Sequence, residues 1–585
     1  MPRALPPHPT MLAWLTALAL ATVSSSAASS VEAADPPAHE APTSMVVAAE
    51  PFAAAAGELM LERGGNAIDA AVATGFTLAV TYPVAGNLGG GGFMVAQIRD
   101  SEGIQRRFAL DFRETAPAAA TADLYVRARA EGLLDASTFG ALSAGVPGSV
   151  AGLLEALRRY GTLPREVVLG PAISLAQSGF PMTRRTAEFL RTPSIREQLE
   201  RDPGSKALFY PDGEPIAEGA NFRQPDLAKT LMGIAEFGPD AFYRGEIAAL
   251  TVLAMKRGGG IITLADLENY RPVMRLPMIF PFAGHSIITM PPPSSGGVCL
   301  KQILTMLERH PLAELGHNSS AALHLMVEAM RRSFADRNAF LGDPDFVTLP
   351  LDRLLDAKYL AAQSASINPA LATPSDALPG GSLPSVQAPL EKEETTHYSV
   401  VDAHGNAVSV TTTLNGAFGS KTLVVGAGYL LNNEMDDFAA EPGKANLYGL
   451  IQGDANAVAP GKRPLSSMTP TIITDGNGNV RAVLGTPGGP TIITNVLQVI
   501  LNLLVFGLEP QAAVNAPKVH HQHLPDRVQV EKEIPADVRE GLERRGHAVA
   551  ERSWIGDFQL IYVDPITGVR KGATDPRGGG AALGH

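Results

Sequence analysis

Thr395 stands where a linker-like stretch gives way to a strand-like one. Residues 361–394 are rich in Ala, Pro, Ser and Gly and end acidic at Glu391-Lys-Glu-Glu394; Thr395-Thr-His-Tyr-Ser-Val-Val-Asp402 then alternates as a strand does. A threonine hydroxyl has no base of its own. Cleaving Glu394–Thr395 would free an α-amine of pKa ~7.7–8.0 on the same residue, able to take the hydroxyl proton near neutrality. The boundary taken alone reads as an ordinary junction between domains, since threonine is common in strands.

Other groups could serve such a nucleophile. Gly488 and Gly489, in Thr486-Pro-Gly-Gly489, precede a long apolar helix. Amides at such a terminus point outward with partial positive charge and suit a developing oxyanion, although two glycines also suit a plain strand-to-helix turn. Arg463-Pro-Leu-Ser-Ser-Met468 puts hydroxyls near a cation, a set that holds a carboxylate or merely makes a polar turn. Asn432-Asn-Glu-Met-Asp-Asp437 could take an ammonium; its spacing is not that of a calcium loop. His520, His521 and His523 lack metal-site spacing and read as structural. Gly86-Asn-Leu-Gly-Gly-Gly-Gly-Phe93 lacks the lysine and βαβ context of a nucleotide loop and reads as close backbone approach or a turn. No GxSxG elbow is present.

The elements that must position these groups are legible in outline. Helices are expected over 52–63, over 66–82 (dense in Ala and Val, hence buried), over 149–159, from 298 to 308, and from Gly488-Gly489 to Phe506. Strands are expected at 93–98 and 107–112, the second ending at Arg113. Hairpins follow at 395–414, at 471–484 and at 559–572. The part before about 350 reads as mainly helical, and the part after Thr395 as α/β with antiparallel hairpins.

Composition sets the outer bounds. The chain has 585 residues, 45% hydrophobic, enough for a large core. Its 47 basic and 59 acidic side chains give a net charge of −12, which argues against nucleic acid as a partner. One cysteine, Cys299, excludes an intrachain disulfide and Cys₄ zinc. Residues 1–34 carry an apolar stretch, Met11 to Val23, followed by small residues, and read as a cleaved export leader. Later segments are too short or too polar to span a membrane; 492–506 reads as a core helix. The expected location is periplasmic or secreted.

Taken together, the motifs resemble those of the γ-glutamyltranspeptidases, N-terminal-nucleophile hydrolases. The resemblance runs through Gly65-Asn-Ala-Ile-Asp-Ala-Ala71, Gly86 to Met94, Leu110-Asp-Phe-Arg-Glu114, Val146-Pro-Gly-Ser-Val150, Thr395 to Asp402, Leu431 to Phe438, Gly461 to Met468, Pro487-Gly-Gly489 and Asp575-Pro-Arg577. It implies a four-layer αββα sandwich built from both products of autocleavage, a large subunit of residues 35–394 and a small one of residues 395–585, held as one heterodimer. It implies that Thr395 is the nucleophile, that Thr413 orients it and that Gly488 and Gly489 form the oxyanion hole. Arg113, Ser466 and Ser467 would grip the donor's α-carboxylate; Asn415, Glu434 and Asp437 its α-amino group. Residues 442–453, with Tyr448, would form a lid. No cofactor or metal is implied. The expected donors are glutathione and other γ-glutamyl compounds, and the acceptors are water, amino acids or peptides. Two rivals remain at this stage: a related acylase acting on cephalosporin, glutaryl or poly-γ-glutamate donors, and an exported binding protein without catalysis.

Overall fold

Two seven-stranded antiparallel sheets face each other. In the computed structural model, which describes residues 37–99, 102–378, 394–439 and 445–585, the first runs in the order 581–583, 45–48, 396–401, 407–413, 91–99, 105–111, 273–275. The second runs 39–41, 570–574, 559–563, 480–485, 471–474, 285–289, 278–282. Both sheets therefore mix strands from before and after Glu394–Thr395. Helices Pro51–Glu62, Ala67–Thr81 and Ser149–Tyr160 cover the outer face of the first sheet; Gly296–Leu307 and Thr491–Leu504 cover the second. The result is the expected αββα sandwich, and residues 37–585 form one unit.

The period-2 alternation of strand side chains decides what each face holds. In the central strand, Tyr398 and Val400 join the core under the helices, with Val46, Ala48, Met94 and Val410. The opposite face is polar. His397 contacts Thr411 Oγ1 at 2.8 Å, Ser399 Oγ donates to the Gln559 carbonyl, and Ser409 Oγ to the Leu484 carbonyl. Burial holds His397 neutral, its pKa pushed down to about 3. The same parity carries Thr395 and Thr413 to the space between the sheets.

Helix Ala67–Thr81 begins in a capping box: Asn66 Oδ1 accepts from the amides of Ile68 and Asp69, and Asp69 accepts from the Asn66 amide. All its residues are buried, as the small side chains allow. The glycine run that follows serves close approach. A Cβ at Gly90 would come within 2.1 Å of the Thr413 carbonyl oxygen, so the strand bearing Thr413 lies directly on this backbone.

Several boundaries differ from the sequence expectation. Helix Ala357–Ala365, capped by Asp356, extends into the stretch read as linker from 361, because Ala, Leu and Lys favour helix whatever the composition beyond them. Ser375–Ala377 forms a further short turn of helix; residues 379–393 lie outside the described residues, as do 1–36 and 440–444. The helix expected from Gly488-Gly489 starts at Thr491, after Pro490. The last hairpin's return strand is Arg570–Thr574, two residues late, because Asp564 Oδ1 accepts from the Ile566 and Thr567 amides and lengthens the turn to Gly568. Among the described residues no helix is long and apolar enough to cross a membrane.

Candidate active site

Thr395 is 4% exposed, and its Oγ1 lies 3.2 Å from Thr413 Oγ1. The Thr413 hydroxyl donates to the Glu394 carbonyl at 3.2 Å and accepts from the Asn415 amide at 2.9 Å. A hydroxyl has one proton, so with that proton on Glu394 O, Thr413 receives the Thr395 hydroxyl as acceptor. Thr413 thus touches both the attacking oxygen and the carbonyl of the bond expected to break. Asn87 fixes it from below, donating to the Thr413 carbonyl at 2.9 Å and accepting from the Gly90 amide.

Beside Thr395 lies a small cavity of about 20 Å³, lined by Arg113, Arg337, Asn415, Glu434, Asp437, Tyr448, Ser466, Ser467 and Gly489 among others. Arg113 is fully buried and donates to both Glu434 and Asp437, with Glu114 3.7 Å away. Burial works against its charge, but these three carboxylates outweigh burial and hold the guanidinium ionised. Burial pushes Glu434 well above the usual carboxylate range despite Arg113, and pushes Glu114 to about 7. Glu434 Oε2 and both oxygens of Glu114 are buried without a hydrogen-bond partner among the described residues. Three acids around one base, with acceptors to spare, suit a ligand carrying both a carboxylate and an ammonium.

The remaining expected residues converge on the same place. Asn415, at φ +78°, donates through Nδ2 to the Asn433 carbonyl, and the Tyr448 hydroxyl donates to the Asn415 carbonyl at 2.8 Å. Tyr448 lies over the cavity; part of the expected lid, 442–444, falls outside the described residues. Ser466 Oγ accepts from the Met468 amide, and its carbonyl accepts from Ser295, which anchors the segment on the 291–297 loop. Gly488 and Gly489 take φ values of +134° and +52°, and their carbonyls accept from the Thr491 and Ile492 amides.

Two further features were not found in the sequence. Arg463, the cation nearest the serines in sequence, pairs with Asp111 and the Arg271 carbonyl; the cation that meets Ser467 is Arg337, from helix Ser320–Phe340. Arg337 is buried, bonds Ser295 Oγ, Asn338 Oδ1 and Ser467 Oγ, and burial lowers its pKa. Nothing in its spacing separates it from Arg331 and Arg332 on the same helix. Arg185 and Tyr82, which hold the Glu394 side chain, likewise carry no motif. The histidines are engaged locally: His520 with Thr494 and Gln522, His521 with Asp526, His523 with the Ser375 carbonyl. Among the described residues no cluster of three or more His, Cys, Asp or Glu is arranged to hold a metal.

A threonine immediately before a central strand, between two sheets, with a hydroxyl partner and a glycine turn beside it, defines an N-terminal-nucleophile hydrolase fold. Comparison with known proteins agrees. The chain is 45% identical over 577 residues to the glutathione hydrolase proenzyme of Pseudomonas sp. strain A14, covering 97% of this chain and 98% of the relative. It is 46% identical over 533 residues to that of Escherichia coli K12, covering 91% and 90%. A cephalosporin acylase structure from Bacillus halodurans superposes with a TM-score of 0.83 at 28% identity, covering 96% of this chain and 99% of that one. The Gamma-glutamyltranspeptidase family model matches residues 53–585, and the chain belongs to that family.

Proposed function

We propose that the protein transfers γ-glutamyl groups from glutathione and similar donors to water or to amines, after cutting itself at Glu394–Thr395. In the precursor, Thr395 Oγ attacks the Glu394 carbonyl carbon while Thr413 donates to its oxygen. The amide becomes an ester, and water then hydrolyses that ester, leaving a carboxylate on Glu394 and a free amine on Thr395. In the processed enzyme the donor's α-carboxylate takes Arg113, with Ser466 and Ser467, while its α-ammonium takes Glu434, Asp437 and Asn415. The γ-carbonyl then lies at Thr395. The Thr395 amine accepts the hydroxyl proton, the Gly488 and Gly489 amides hold the oxyanion, and the proton passes to the departing amine. Water or a second amine releases the γ-glutamyl group from the ester. The large and small subunits stay together as one heterodimer, and residues 1–34 direct export to the periplasm or medium.

The observation that carries this reading is the contact of Thr413 with both the Thr395 hydroxyl and the Glu394 carbonyl, beside a buried cation ringed by acids. A glutaryl donor lacks the α-ammonium and would leave Glu434 and Asp437 without a cationic ligand, which favours free γ-glutamyl donors over the acylase alternative. The experiment is Thr395→Ala on a denaturing gel with a γ-glutamyl anilide assay. The expected result is one uncut chain and a loss of activity above ~10³-fold. Two bands with retained turnover would overturn the assignment. A wild-type chain that stays whole and inactive would instead support a binding protein.

A further inference from the structure

Two buried guanidinium groups line the small cavity beside Thr395, and they are partnered differently. Arg113 rests on Glu434 and Asp437. Arg337, from the last turn of helix Ser320–Phe340, is 1% exposed and has no carboxylate within ion-pairing distance among the described residues. Its fork is spent on neutral oxygens: Nε donates to Ser295 Oγ at 2.9 Å, Nη1 to Asn338 Oδ1 at 3.0 Å and Nη2 to Ser467 Oγ at 3.1 Å. Burying a charge without a counter-ion is costly. Burial accordingly lowers the Arg337 pKa, and Asp437 opposes that only through space. The direction of each hydrogen bond is fixed, because a guanidinium can only donate. Ser295 and Ser467 therefore accept from Arg337 and keep their own protons to give. Ser295 gives its proton to the Ser466 carbonyl at 2.7 Å. The Ser467 proton has no acceptor among the described residues, and Ser467 lies in the cavity wall. One guanidinium thus holds two adjacent serines, Ser466 through Ser295 and Ser467 directly.

We infer that Arg337 is a positioning residue for the donor: it presents the Ser467 hydroxyl to the α-carboxylate as a donor, fixes Ser466 through Ser295, and supplies a positive charge that only the bound carboxylate balances. The inference rests on the γ-glutamyl transfer proposed above and names a residue that this reading did not use. A donor brings one carboxylate and one ammonium into the cavity. Arg113 already faces three carboxylates, Glu434, Asp437 and Glu114, so the negative charge around it is supplied before the donor arrives. Arg337 faces none, so a carboxylate set against Ser466 and Ser467 gains most from the second guanidinium. The charge reaches it through a single hydroxyl, and an O–H whose oxygen accepts from a cation is polarised into a stronger donor. Arg337 makes and breaks no bond in this scheme. Its contribution is to binding of one end of the donor, and a donor without the α-carboxylate has nothing to lose when it is replaced.

The test compares two donors on processed enzyme, a γ-glutamyl anilide and the same anilide with its α-carboxylate amidated, the latter read as a competitive inhibitor where its turnover is slow. In Arg337→Gln the KM of the acid donor should rise ~10–100-fold and that of the amide less than about threefold, with kcat for the acid donor kept within about threefold. Arg337→Lys keeps the charge but cannot span both serines, and should recover part of the loss. KM does not depend on the fraction of chains processed. An equal rise for both donors, or a loss confined to kcat, would reduce Arg337 to a structural role and overturn the inference; so would an unchanged KM for the acid. Should Arg337→Gln fail to process, Ser295→Ala replaces it, since it removes one hydroxyl and keeps the guanidinium. The acid donor's KM should then rise ~3–10-fold and the amide's should hold, and any other pattern refutes the scheme. A wild-type protein that does not cleave the anilide defeats the underlying function, whereas cleavage with a carboxylate preference that survives these substitutions defeats this inference alone.

Discussion

The cavities on either side of the Glu394–Thr395 bond, about 20 and 510 Å³, are built on opposite plans. The small one is filled by its own charges. Arg113 already rests on Glu434 and Asp437, so that cation is paired before any ligand arrives. The large one is walled by Tyr82 and Trp554, whose rings fix the Arg185 guanidinium, with much of its volume open. A site whose ions pre-pair without ligand pays its desolvation at folding and binds one shape of charge tightly. A roomy site with a single fixed fork accepts many bodies that share one end group. The contrast suits a reaction with one acyl group and many amines.

The turn between the two cavities offers the largest test of this contrast. Gly488→Ala puts a side chain at φ +134°, a region open essentially to glycine, and would displace the amide proposed to hold the oxyanion. The expected loss is ~10²–10³-fold in kcat for hydrolysis of a γ-glutamyl anilide, with a smaller change in KM. A loss confined to KM would move the oxyanion hole elsewhere. Next in size is Arg113→Lys. A lysine cannot reach Glu434, Asp437 and the Pro464 carbonyl together as the guanidinium does. Donor KM should rise ~10–100-fold, and the penalty should shrink when the donor's α-carboxylate is amidated. An equal penalty for both donors would detach Arg113 from that carboxylate.

The smallest effect concerns the wall of the large cavity. Glu50 caps helix Pro51–Glu62, accepts from Thr81 Oγ1 and the Ala53 amide, and is pushed by burial from the usual 4.5 to about 7. A carboxyl whose folded pKa is raised binds its proton more tightly when folded. Its contribution is complete below the unfolded value and is lost as pH rises through about 7. Glu50→Gln keeps the acceptor oxygen without the ionisation. Urea unfolding should find the variant more stable than wild type by ~1–3 kcal/mol at pH 8, with the gain vanishing toward pH 4. A pH-independent difference would show that Glu50 does not titrate in this window.

What the sequence made legible follows from how local each signal is. The hairpin on Thr395 and Thr413, the capped helix after Asn66 and the glycine turn at 488–489 are short-range patterns, and all appear within a few residues of expectation. The strands 45–48, 278–282 and 285–289 were missed: all are short, and 45–48 and 285–289 find partners beyond residue 394, at 396–401 and 471–474, while 278–282 is an edge strand whose partner is 285–289. The γ-glutamyltranspeptidase motifs gathered the small cavity almost complete. They did not reach Arg337 or Arg185, whose importance comes from burial and from neighbours far along the chain, Ser467 and Glu394. Glu114 was quoted in a motif, yet only its buried place 3.7 Å from Arg113, with no hydrogen-bond partner among the described residues, marks it as part of the charge cluster.

The strand 45–48 lies between 396–401 and 581–583, and the His585 carbonyl accepts from the amides of Thr43 and Ser44. The C-terminal end thus sits beside the start of the sandwich. A short bridge from His585 to residue 43 would therefore permit a circularly permuted gene that opens with Met-Thr395, in which removal of the initiator methionine exposes the threonine amine at once. In such a chain a free threonine amine would no longer depend on scission of the Glu394–Thr395 bond.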